Sequence, residues 1–114
     1  MLGNIETKKL YDLIDNVCHT KIPLIVYEFV CENVIFWEVK TGMMFSIRGL
    51  SKRTKKDFII ILMKEATEYT VVHEIAHCWL KHSTEVRTPP EEYRNEQEAR
   101  KLAKKWIRQS RVVH

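Results

Sequence analysis

The chain has 114 residues, the size of one small domain, and 45% of them are hydrophobic, which excludes wholesale disorder. Its formal net charge of +4 permits contact with nucleic acid without demanding it. No apolar stretch approaches the roughly 20 residues of a membrane span, and Met1-Leu2-Gly3-Asn4-Ile5-Glu6 has no basic stretch leading into an apolar run, so neither a span nor a signal peptide is expected.

Residues 4–19 read as a helix capped by Asn4, with Thr7 as the alternative cap. Its stripe is Ile5, Leu10, Leu13, Ile14 and Val17. Residues 24–30, after Pro23, are rich in β-branched and aromatic side chains and read as a strand. Glu32-Asn33 is a turn signal, residues 34–39 read as a second strand, and the two form a hairpin. Thr41-Gly42 marks the next turn, and residues 43–47 read as a third strand. Lys52, Arg53, Lys55 and Lys56 make a basic loop, a solvated tip or a contact for phosphates. Residues 58–63 are the most apolar run and read as a strand buried on both faces.

Thr67 is a candidate cap for a helix beginning at Tyr69 or Thr70 and ending near residues 81–83. The prolines Pro89 and Pro90 forbid helix through the following loop. A last helix opens at Glu91 or Glu92 and runs to about Gln109, with Ala99, Leu102, Ala103, Trp106 and Ile107 facing the core. Cys18, Cys31 and Cys78 are an odd number without CxxC spacing. Free thiols in the cytoplasm are the expectation.

The chemistry sits in Val71-Val72-His73-Glu74-Ile75-Ala76-His77-Cys78-Trp79-Leu80. On a helix, His73 and His77 lie on one face and can offer two imidazole nitrogens to one metal ion. Glu74 lies about 100° round the axis, placed to reach a water beside that metal rather than to join the pair. This is the His-Glu-x-x-His pattern of zinc hydrolases. The neighbouring apolar residues bury the helix, and buried polar groups need partners. Cys78 points away from His77 and is rejected as a ligand.

A catalytic zinc needs a third protein ligand. Ser83 stands where the metzincin pattern has its third His, which leaves a glutamate from the last helix. Glu96 continues the stripe of Ala99 and Ala103. Glu98 faces outward, and Glu92 lies at the helix start in a capping role. Helix phase therefore selects Glu96.

The first motif, followed by Glu96-Gln97-Glu98-Ala99-Arg100-Lys101-Leu102-Ala103, resembles the ImmA/IrrE-like family of small gluzincin metallopeptidases over about residues 58–107. The resemblance implies that the first glutamate of the second motif, Glu96, is the third zinc ligand. It also implies a protein substrate, often a DNA-bound repressor. Arg100 stands where family members commonly carry Asn or Asp.

The expected fold is α+β and minimal gluzincin-like: an N-terminal helix, a small, mostly antiparallel sheet of three to four strands, the His-Glu-x-x-His helix and a C-terminal helix, all in one domain. The expected function is a zinc-dependent endopeptidase with one Zn²⁺ per chain, held by His73, His77 and Glu96, with Glu74 as general base. His82, Tyr69 and Tyr93 are candidate oxyanion donors. An extended substrate is expected to add a strand to the sheet edge. Two alternatives stand beside this reading. One is a zinc-binding regulatory module without efficient proteolysis; the other is a nucleic-acid-binding protein using Lys52 to Lys56 and the basic last helix.

Overall fold

Helix predominates in the computed structural model, which describes residues 5–39, 45–47, 58–81 and 88–110. The first helix, α1 (Lys8–Thr20), buries Leu10, Ile14, Val17 and Cys18, a stripe at helical spacing. It starts later than expected. Thr7 holds the N-cap place, but its hydroxyl donates to Glu38 instead of capping the helix. The Glu38 carboxylate in turn accepts from the backbone N–H groups of Glu6 at 3.0 Å and Thr7 at 2.8 Å. Asn4, the other expected cap, lies outside the described residues.

Residues 24–30 are not a strand. They belong to α2 (Leu24–Asn33), which follows Pro23 at φ −62°. Val26 and Val30, four apart, are its buried residues, while Leu24 and Ile25 are 72% and 65% exposed. Helical spacing of the two core valines outweighs local β propensity here. The expected hairpin disappears with that strand. Glu32 and Asn33 form the last turn of α2, where Asn33 Nδ2 donates to the Phe29 carbonyl at 3.0 Å. Val34 is already extended, so β1 (Val34–Glu38) leaves the helix without a turn.

The sheet also differs from expectation. Its order is β1-β3-β2, with β2 at Phe45–Ile47 and β3 at Phe58–Leu62. β1 and β3 run parallel, from Val34 opposite Phe58 to Glu38 opposite Leu62. The three-residue β2 pairs antiparallel with the other edge of β3, with Ser46 opposite Ile60. The mostly antiparallel sheet is thus corrected to a parallel pair with one short antiparallel addition. Residues 40–44 and the basic loop from Lys52 to Lys56 lie outside the described residues. The near-continuous burial of β3 fits this position: a central strand beside a parallel neighbour is covered on both faces.

Beyond β3, Thr67 caps α3 (Glu68–Trp79), its hydroxyl accepting from the Thr70 N–H at 3.2 Å. Lys81, at φ 59°, adopts the left-handed conformation that commonly ends a helix, and its N–H donates to the Cys78 carbonyl at 3.0 Å. The last helix, α4 (Pro89–Ser110), begins on the prolines expected to exclude it. Both sit in its first turn, where backbone N–H groups have no intrahelical acceptor and none is lost. Only Ala99, Ala103 and Trp106 of α4 are buried. Their small side chains at 99 and 103 let α4 pack closely on α3. No helix among the described residues is long and apolar enough to cross a membrane.

Candidate metal centre

The site is built where α4 crosses α3. Val71, Val72, Ile75 and Ala76 are fully buried and fix the rotation of α3 in the core. Each large aliphatic side chain among them contributes about 1.5–3 kcal/mol by leaving water. That rotation presents His73 and His77 to α4. In α4, Ala99 and Ala103 set the phase, and Glu96 lies on the same inward face one turn earlier.

His73, His77 and Glu96 each offer one ligand atom, and these atoms lie within 4.8 Å of one another. Nε2 of His73 is 3.3 Å from Glu96 Oε2, and Nε2 of His77 is 3.0 Å from Oε1. Donor atoms about 2.0–2.1 Å from a tetrahedral zinc stand roughly 3.3 Å apart, so both separations suit ligands on a shared ion. Both contacts lack hydrogen-bond alignment: the two Nε2 atoms are buried and make no hydrogen bond. A carboxylate drawn close to two imidazole nitrogens, without a proton shared along either axis, is an arrangement that a cation between them completes. Two imidazoles and a carboxylate suit zinc, and also manganese, cobalt or ferrous iron. The residues present therefore fit a metal.

Exposure is graded across the cluster. The side chain of His77 is 2% exposed, that of His73 16% and that of Glu96 40%. Glu74, half-buried on α3, stands outside the ligand group, one residue round the helix from His73. Glu98 and Glu92 are exposed and also lie outside it. Cys78 is buried, is not in a disulfide and is not part of the cluster.

The three candidate oxyanion donors fare differently. Tyr93 is 68% exposed, one turn before Glu96. His82 lies outside the described residues. Tyr69 stacks on His73, with ring centroids 5.5 Å apart and planes 17° from parallel. Sequence reasoning missed that stack, although Tyr69 precedes His73 by four residues, the spacing that brings side chains together on a helix. It also missed the support behind α3, where Phe29 of α2 meets Trp79 edge-on at 5.3 Å. Reading residues 24–30 as a strand hid this contact.

A cavity of about 520 Å³ lies elsewhere, lined by the α1–α2 connection and by Trp106, Gln109 and Ser110 at the end of α4. None of the candidate metal ligands lines it. No protein-family model matches the chain, and neither a curated protein nor a solved structure is significantly similar to it.

Proposed function

We propose that this protein is a zinc-dependent endopeptidase of the ImmA/IrrE-like kind, acting on a specific protein substrate. The observation that carries the reading is the convergence of His73, His77 and Glu96 within 4.8 Å, with Glu74 adjacent in sequence to the first ligand. The resemblance of the two motifs adds the substrate class: a protein regulator, with a DNA-bound repressor as the leading candidate.

His73 and His77 from α3 and Glu96 from α4 would hold the ion. Zinc bound there lowers the pKa of water to about 7 and polarises a peptide carbonyl. Glu74 accepts the proton of the attacking water and passes it to the leaving amine as the C–N bond breaks. The burial of His77 excludes water from the back of the site, which strengthens the hold of its ring on a cation.

Elemental analysis of purified protein tests the metal. The expected result is about one zinc per chain in the wild type and in Glu74→Gln and Glu98→Ala, and none in Glu96→Ala. Incubation with a peptide library, read by mass spectrometry, tests the chemistry. Wild type is expected to cleave and Glu74→Gln to bind zinc without cleaving. No zinc in the wild type after reconstitution overturns the reading. Stoichiometric zinc without cleavage of any peptide, or of a co-expressed repressor, makes the protein a zinc-binding module instead.

A further inference from the structure

We infer that Tyr69 is a positioning residue for the metal centre, its ring holding the His73 imidazole in the orientation that binds a cation. The inference rests on the metal-centre reading above and concerns how this chain tunes that site.

The two rings are four residues apart on one face of α3, with centroids 5.5 Å apart and planes 17° from parallel. His73 is also in ring contact with His77, 4.8 Å away and tilted by 50°. The imidazole of His73 is therefore bounded by Tyr69 on the side away from His77. A free imidazole can rotate about its Cβ–Cγ bond, where the torsional wells are broad. A face-on aromatic neighbour restricts that rotation, because turning the ring out of plane breaks the stack or drives an edge into the phenol. What remains is one plane for the ring, and in that plane Nε2 lies 3.3 Å from Glu96 Oε2.

Electrostatics act in the same direction. An imidazole bound to a divalent cation is electron-poor, and the face of a phenol ring is electron-rich. The stack thus strengthens when the site fills and favours the loaded form over the empty one. The ring, not the hydroxyl, does this. Tyr69 is half-buried and packs against the edge of the core, so it also has a structural role that the test must separate.

The test measures zinc affinity by competition with a chromophoric chelator for wild type, Tyr69→Phe and Tyr69→Leu. Leucine keeps an apolar contact with the core and removes the aromatic face. The expected result is wild-type affinity in Tyr69→Phe and roughly five- to tenfold weaker binding in Tyr69→Leu. Thermal midpoints of the zinc-free proteins report the structural role separately. In the zinc-loaded wild type, NMR is expected to show the His73 ring protons shifted upfield by the phenol, and Tyr69→Leu to lose that shift. Equal zinc affinity in wild type and Tyr69→Leu overturns the inference, as does a Tyr69→Phe protein as weak as Tyr69→Leu. If wild type itself takes up no zinc, the metal centre fails and this inference with it. Stoichiometric zinc with no effect of Tyr69→Leu removes this inference alone.

Discussion

His77 and Glu96 meet across the α3–α4 contact, with Nε2 of the buried histidine 3.0 Å from Oε1 of the half-buried glutamate. The contact joins the most buried polar side chain described to a helix that buries only Ala99, Ala103 and Trp106. Glu96→Gln keeps the shape of the side chain but removes the charge that balances a dication between the imidazoles. A ligand that binds only the folded state at 100 times its Kd stabilises by about 2.7 kcal/mol. For a chain of this length that raises Tm by roughly 10 °C. Differential scanning calorimetry is expected to show that rise for wild type on adding zinc and little or none for Glu96→Gln.

A metal bound by these residues would have a local effect on α4. From Thr88 to Glu98 no side chain of α4 or its cap is buried, whereas Ala99, Ala103 and Trp106 hold the rest of the helix on the core. Glu96, 3.0 Å from His77 and 3.3 Å from His73, ties the first half of α4 to α3. Hydrogen exchange measured with and without a chelator is expected to speed up in residues 90–98 when zinc is withdrawn. Residues 100–107 are expected to change little. Equal protection of both halves in the two states would show that the ion does not clamp the helix.

The convergence of His73, His77 and Glu96 was legible because helix phase is a local property. His73 and His77 share a face by spacing alone, and Ala99 and Ala103 fix which glutamate joins them. The sheet was not legible for the opposite reason. Residues 24–30 carry β-branched and aromatic side chains that suit a strand, and only the four-residue separation of Val26 and Val30 signals the helix they form. Whether residues 34–38 pair parallel or antiparallel with β3 depends on the path of the chain between them, which no pattern within either strand encodes. The buried run of residues 58–62 did carry a hint, since a strand covered on both faces suits a parallel pairing. Pro89 and Pro90 misled because their helix-breaking effect applies to helix interiors, not to a first turn.

Glu38 should matter for stability and not for metal. Its carboxylate, at the end of β1, gathers the N–H groups of Glu6 and Thr7 and the Thr7 hydroxyl, and so fastens the start of α1 to the sheet. Glu38→Ala leaves those donors without that acceptor at a part-buried site. The expected loss is about 1–2 kcal/mol, read as a lower urea midpoint at unchanged m-value. Zinc content is expected to stay at the wild-type level. A drop in zinc content would mean that the β1–α1 contact shapes the metal centre.

Cys18 makes the protein sensitive to alkali. Burial, reinforced by repulsion from Cys31 and Asp15, raises its thiol from 9.0 to about 12. Between those values the folded state keeps a proton that the unfolded chain releases, so stability falls as pH rises. The contribution is intact below pH 9 and is lost progressively towards pH 12. Urea unfolding at pH 8 and pH 10 should show wild type losing on the order of 1 kcal/mol more than Cys18→Ala over that interval. The same protonation keeps the native thiol inert, because the thiolate is the reacting form. Iodoacetamide at pH 8, followed by peptide mass mapping, is expected to label Cys18 only after the chain is unfolded. Labelling of native Cys18 at the unfolded rate would mean that α1 opens too readily for its core stripe to protect the thiol, and the alkaline slope would then vanish with it.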